Sequence, residues 1–222
     1  MAKINYINNK SQDITIDPGA SGDSFLQFSI NSTGEFRVGV DDDDSDNFKI
    51  SQGSALGAND TFVMTAAGER TMPLQPCFLG YLASTASNVT GDNTDVQLGS
   101  GTPALTEVYD QGNDFNTNGN FTAPIAGKYL LSFGVHVSGI TDAAITEYLI
   151  RIQTTASTYQ VVMIEPNSAK TASNELILTG SAQCDMDASD LAIVVVTGEN
   201  GTKVIDIEGV ARNTFFAGFL MC

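Results

Sequence analysis

The sequence predicts an all-β protein, a β-rich N-terminal stem followed by a sandwich or jelly-roll head. Three observations carry that reading. Apolar residues alternate with small or polar ones along several segments of the second half. Clusters of Gly, Asn and Asp punctuate those segments at short intervals. A proline-bearing stretch, Thr71-Met72-Pro73-Leu74-Gln75-Pro76, divides the chain. Composition agrees: 42% of the 222 residues are hydrophobic, enough for a core and too many for a disordered chain. Gly is frequent, with 21 residues, and Trp is absent, a mixture that favours strands and tight turns over long helices.

The strongest strand runs from Lys128 to Ser138. Its odd positions are Tyr129, Leu131, Phe133, Val135 and Val137, and its even ones are mostly small or polar. Strict period-two alternation marks a strand with one face in a core. Glu147 to Gln153 repeats it, with Tyr148, Ile150 and Ile152 on one side and Glu147, Arg151 and Gln153 on the other. Leu191 to Val196 is apolar on both faces, as a strand sandwiched inside would be. Asn118-Gly119, Ala126-Gly127, Glu165-Pro166-Asn167 and Gly198-Glu199-Asn200-Gly201 read as turns between strands. The spacing gives roughly ten strands, the pattern of a sandwich or jelly roll.

Residues 1–75 read differently. Pro73 and Pro76 cannot lie inside a helix or central strand, so they mark a connector. Before it, Phe25, Ile30, Phe36, Val38 and Val40 supply apolar positions, and Gly19, Gly22, Gly34 and Gly39 mark bends. Ile30-Asn31-Ser32-Thr33-Gly34-Glu35 is echoed by Met64-Thr65-Ala66-Ala67-Gly68-Glu69. The segment holds too few large apolar residues to bury a core alone, so identical copies from other chains are expected to complete it. The closing run Phe215-Phe216-Ala217-Gly218-Phe219-Leu220-Met221 is apolar on both faces. As an edge strand it would invite aggregation, which predicts one face in its own core and the other against a sister chain; the alternative is a central strand in a large monomeric sandwich.

Net charge is −16, with only ten Lys and Arg, which weighs against nucleic acid and against anionic membrane surfaces as partners. No stretch approaches the ~20 apolar residues of a membrane helix. The opening Met-Ala-Lys-Ile-Asn lacks the apolar core of a signal peptide, so synthesis in a cytoplasm is expected, with Cys77 and Cys184 reduced. Neither a nucleophile elbow nor a phosphate loop nor a dinucleotide fingerprint appears, and the chain is read as a non-enzyme. His136, the single histidine, has no nearby Cys or His with which to hold zinc and could face a three-fold axis. Asp41 to Asp46 fails the EF-hand pattern from Asp42, since Asn47 and Gly53 stand where Gly and Glu are needed; it reads as a solvated acidic turn.

Four segments in order carry a resemblance. Pro76-Cys77-Phe78-Leu79-Gly80-Tyr81-Leu82 resembles an opening strand, Tyr109-Asp110-Gln111-Gly112-Asn113-Asp114-Phe115 an Asn-rich turn, Phe121 to Phe133 a signature strand, and Phe215 to Leu220 a closing strand. Together they resemble the complement C-one-q type globular head of the tumour-necrosis-factor-like jelly rolls, over residues 76–222. The resemblance implies a ten-stranded jelly roll, a homotrimer with apolar strand faces along its axis, and a binding module that uses exposed loops. Tyr129, Phe133, His136, Phe215, Phe216, Phe219 and Leu220 are then the expected core and trimer-interface residues. Calcium near the apex in that family makes Asp92 and Asp95, in Gly91-Asp92-Asn93-Thr94-Asp95, candidate ligands. The collagen-like stalk of animal members is absent. The stem, in Asp46 to Ser51 and Phe62 to Thr71, resembles those of bacteriophage tail fibres.

The expected function is therefore a structural and binding subunit of a trimeric phage or prophage fibre, spike or decoration protein at the virion surface. The stem would meet other virion proteins, and the head a host-surface glycan or protein. The alternatives are an extracellular adhesin or lectin head, or a purely architectural subunit. Receptor contacts belong to the loops around Asn88 to Asp95, Gly139 to Asp142, Asn167 to Ser173 and Glu199 to Thr202, which the sequence does not rank.

Overall fold

The computed structural model describes residue 16 and residues 22–30, 33–101 and 103–222. Gly19, Asn31 and Ser32, read above as bend and turn, lie outside the described residues. The chain forms two units, Met1–Leu74 and Gln75–Cys222.

The first unit is one antiparallel sheet in sequence order: β1 (Ser24–Ile30), β2 (Thr33–Asp41), β3 (Asn47–Gln52), β4 (Asp60–Met64) and β5 (Arg70–Thr71). Its register decides which side chains share a face. Leu26 lies opposite Val38, Phe28 opposite Phe36, Val40 opposite Phe48, Val38 opposite Ile50, Phe48 opposite Met64 and Ile50 opposite Phe62. Since residues paired across a sheet point the same way, this gathers nine large apolar side chains on one face. Phe48 and Phe62 meet edge to face at 6.5 Å. The stem is thus not short of apolar residues; among the described residues no second layer is set against them.

The opposite face carries the polar and charged side chains Gln27, Arg37, Lys49 and Ser51, with Phe25 and Val63 among them, and it is covered around Lys49. Lys49, only 3% exposed, holds Asp44 at 2.6 Å, Asp41 at 2.8 Å and Asp60 at 3.2 Å. Leu56, Gly57 and Ala58 of the β3–β4 loop line the same cluster, and Gly57 N–H donates to Asp60 Oδ1 at 3.0 Å. Burial alone would lower the Lys49 pKa; hydrogen bonds to Asp41, Asp44 and Asp60 outweigh it and hold the ammonium above the ordinary lysine range. The acidic run is therefore only partly a solvated turn. Asp42 to Asp44 form an exposed 3-10 turn, while Asp41 is buried on Lys49. Gly39, read as a bend, is instead mid-strand in β2. A Cβ there would sit 2.0 Å from Ser24 O, so the residue is required for close approach of β1.

The second unit holds β6 (Cys77–Leu82), β7 (Ala86–Thr90), β8 (Asp95–Gln97), β9 (Leu105–Gln111), β10 (Phe121–Thr122), β11 (Gly127–Ser138), β12 (Glu147–Thr154), β13 (Thr158–Ile164), β14 (Leu176–Met186), β15 (Leu191–Glu199), β16 (Ile205–Ile207) and β17 (Phe215–Leu220). One sheet runs β9-β6-β17-β11-β14 and the other β10-β15-β12-β13, with β8 also on β15. Those ten strands are a jelly roll: the chain crosses from sheet to sheet, and its last strand closes between the first and the longest. The short pair β7–β16 is added at the far end of β11. One turn of helix, Pro166–Ala169, is capped by the Glu165 carboxylate.

The core lies between the sheets. Tyr129, Leu131, Phe133, Val135 and Val137 are all fully buried or nearly so, as their alternation predicts. Phe78 is its centre, stacked at 4.6 Å on both Phe115 and Phe121 and edge-on to Phe216 at 5.0 Å. The closing strand β17 is central, not an edge, since β11 flanks it on one side and β6 on the other.

Replacing Lys49 with Met keeps the bulk of the side chain but leaves the Asp41 carboxylate buried without its cation. Chemical denaturation of the full chain is expected to show the stem unfolding about 3–5 kcal/mol more easily. A change within error of zero overturns this account of the network.

Candidate functional site

Two surfaces and one loop cluster stand out from the fold. The first surface is the outer face of the β9-β6-β17-β11-β14 sheet. Register brings Phe215 beside Tyr81, Ala217 beside Leu79, Leu79 beside Tyr109, and Phe219 beside both Cys77 and Leu130. Phe219 is 46% exposed, Tyr109 is also exposed, and the Arg212 guanidinium lies 4.7 Å over the Tyr81 ring. The residues expected to build core and interface divide along this alternation. Tyr129, Phe133, Phe216 and Leu220 point inward and are buried; Phe215, Phe219 and His136 belong to the outward face.

The second surface is the apolar face of the stem sheet. Leu26 is 54% exposed, Phe28 57%, Ile30 67% and Phe36 44%, within a chain whose polar stem face is covered. That order of burial is the reverse of what a lone sheet in water would choose.

The loop cluster occupies one end of the head, where segments distant in sequence are tied by hydrogen bonds. Gly201 N–H donates to Gly91 O at 2.8 Å, Asn93 N–H to Gly198 O and Asn200 N–H to Asn93 Oδ1, each at 2.9 Å. Asp142 Oδ2 accepts from both the amide and the hydroxyl of Thr202, and Asn167 Nδ2 donates to Ile145 O at 2.7 Å. The hydrogen bonds to Ala144 N–H and Thr202 hold the Asp142 carboxyl below its usual pKa. Gly91, at φ +125°, lets the strands close, because a Cβ would lie 2.0 Å from Thr202 O. All four loop stretches expected to carry contacts thus reach this cluster or its border: Asn88 N–H bonds Asp206, and Ile140 N–H reaches Asn174 O.

Asp92 and Asp95 are placed apart in role. Asp92 accepts from Thr94 N–H at 3.3 Å, and the Thr94 hydrogen bonds lower its pKa. Asp95 is engaged by Arg151 and by the Thr197 hydroxyl. Among the described residues no group of three or more His, Cys, Asp or Glu side chains is arranged to hold a metal ion. No described helix is long and apolar enough to cross a membrane.

His136 has a largely buried side chain. Its Nε2 lies 3.8 Å from Glu175, and its Nδ1 has no partner. Its backbone N–H donates to Thr214 Oγ1 at 3.1 Å, and that hydroxyl donates on to Glu208 O at 2.6 Å. The Glu208 carboxylate accepts from Ser138 and Thr85 hydroxyls, which, with the neighbouring His136, hold its pKa below the ordinary range against the opposing effect of burial. The three cysteines are unpaired: Cys184 is buried, Cys77 half-buried and Cys222 exposed, and burial pushes the Cys184 thiol up to about 11.

Sequence reasoning missed the Lys49 network and the tying together of the loops. The spacing of Lys49 from Asp41 and Asp44 was visible, but Asp60 joins only through the β3–β4 pairing.

No protein-family model matches the sequence, and no curated protein matches it either. Among solved structures the chain is similar to the globular domain of a zebrafish complement 1qA protein, at 16% identity and a TM-score of 0.43, over 67% of this chain and 98% of that one. It is likewise similar to murine APRIL, at 12% identity and a TM-score of 0.44, over 66% and 99% of the two chains. These are likenesses of fold; the jelly-roll assignment stands on the strand order given above.

The Glu208 carboxylate has a folded pKa below its unfolded value of about 4.3. Its contribution to stability is therefore present above that value and is lost as pH falls through the folded pKa. Ser138→Ala is expected to cost about 1 kcal/mol at neutral pH, with the gap to the parent closing under acid. Thermal unfolding across a pH series checks this, and a gap that stays constant with pH refutes it.

Proposed function

We propose that the chain is the structural and binding subunit of a homotrimeric fibre, spike or decoration protein of a phage or prophage, without enzymatic activity. The single observation that carries the reading is the bare apolar face of the stem sheet, opposite a polar face that is already covered. Within β1 to β4 the apolar rows carry no charge; the single cation of that face, Arg70, lies at its β5 edge opposite Met64, so a copy of the face can meet the rows and leave Arg70 at the rim. Leu26, Phe28, Ile30 and Phe36 are each about half exposed. Taking ~200 Å² for a large side chain, they offer on the order of 400 Å², or ~10 kcal/mol per copy at ~25 cal/mol per Å². Association itself costs about 4–15 kcal/mol. The stem face alone is of the size of that cost, so a stable assembly draws also on the outer face of the head sheet around Phe215, Phe219, Leu79 and Tyr81.

The three-fold order follows the resemblance of the head to trimeric jelly rolls, and the virion role follows the resemblance of Asp46 to Ser51 and Phe62 to Thr71 to tail-fibre stems. In this arrangement the stem joins other virion proteins at the particle surface. The head loops around Asn93, Asp142 and Asn200 are presented to a host-surface glycan or protein.

Light scattering on the purified chain is expected to return three times the 23.4 kDa chain mass. Phe28→Asp and Phe219→Asp are each expected to raise the dissociation constant of the assembly about thirtyfold or more. A monomer mass at micromolar concentration overturns the trimer. Protein released freely and missing from gradient-purified particles overturns the virion role and leaves the adhesin reading.

A further inference from the structure

We propose that the outer face of the β10-β15-β12-β13 sheet carries a groove for one residue of a neutral oligosaccharide. The inference rests on reading the head as a surface-contact module, and it names a ligand class and a place for it. The groove is a consequence of topology. Along one edge of β15, β8 pairs with Val195 to Thr197 and β10 with Leu191 and Ala192, so two short strands share an edge that one long strand would fill. Between them lies a groove of about 260 Å³, floored by Leu191 and Ile193 and walled by Gln97 and Asn120 on one side and Gln153 on the other. That volume sits just under the ~300 Å³ at which ligand pockets begin, which suits a single ring of a longer chain.

The chemistry of the lining selects the ligand. None of the groove's lining residues is charged, in a chain with 26 Asp and Glu, so neither an anion nor a cation finds a counter-charge there. Arg151 and Asp95, on the same sheet, are engaged with each other and with Thr197. Gln97 Nε2 donates to Asn118 O at 2.9 Å and to Asn120 Oδ1 at 2.6 Å. Those bonds fix the two amides and leave one carbonyl oxygen and one amino group for a ligand. Among the described residues Gln153 makes no side-chain hydrogen bond, so it offers both a donor and an acceptor. Paired donors and acceptors match sugar hydroxyls, which both give and accept protons. Leu191, 47% exposed, and Ile193 offer an aliphatic floor for the C–H face of a pyranose ring. The groove lies on the sheet opposite Phe215 and Phe219, so it stays open in the proposed trimer.

The test titrates the full chain with maltohexaose, cellohexaose and chitohexaose, read by saturation-transfer NMR, with the assembly mass measured on the same samples. At least one sugar is expected to bind, and Gln153→Ala is expected to weaken it about tenfold. Gln160→Ala, an exposed amide elsewhere on the same sheet, should leave affinity unchanged. A Leu191→Asp variant is expected to abolish binding with the fold and mass intact. No signal from any of the three sugars, or affinity indifferent to both Gln153→Ala and Leu191→Asp, overturns the groove. A neutral Gly-Ser hexapeptide that binds with the same Gln153 dependence, while the sugars do not, overturns the sugar assignment. Sugar binding by a chain of monomer mass supports the groove and removes the trimer; a trimer that binds no sugar does the reverse.

Discussion

A β-sheet has two faces, and water tolerates an apolar one only when something covers it. In the head the two sheets cover each other, with Phe78, Tyr129, Phe133 and Phe216 between them. The stem has a single sheet, and the cover its own chain provides lies over Lys49, Asp41 and Asp60. Among the described residues no second layer covers the apolar side, from Leu26 and Phe28 across to Phe62 and Met64. The proposed assembly, and the function proposed with it, rest on that demand.

Within the head the same alternation sorts residues by destination. Along β17, Phe216, Gly218 and Leu220 turn inward while Phe215, Ala217 and Phe219 turn outward, and neighbouring β6 and β11 extend both rows. The outward rows form the apolar surface that the proposed trimer would bury. The other sheet, whose central strand β15 is flanked by short strands, is fit to meet a ligand. Loops at one end knit into a single polar patch because Gly91 lets two of them touch.

Much of the fold was legible in one dimension because period-two alternation is a local property. Tyr129 to Val137 announced an inward row, and every member is buried. The chain divides into two units between Leu74 and Gln75. Where local reading failed, position within the sheet was responsible. Leu191 to Val196 read as a strand buried on both faces, yet Leu191 is half exposed because it lies on the outer face of its sheet, alternating with the buried Ala192 and Val194. Asp41 read as solvated with its acidic neighbours and is instead buried on Lys49, with Asp60 brought in across β3 and β4.

By itself the sequence determined the class of the protein: strands rather than helices, in an acidic chain. It could do so because composition, turn residues and alternation act over a few residues at a time. Only the tertiary structure decided that the closing strand is central, that Gln97, Asn120 and Gln153 share one groove, and that the stem buries its polar face and bares its apolar one. Each of those depends on register between strands tens of residues apart, and register is fixed by packing across the whole sheet rather than by any local stretch.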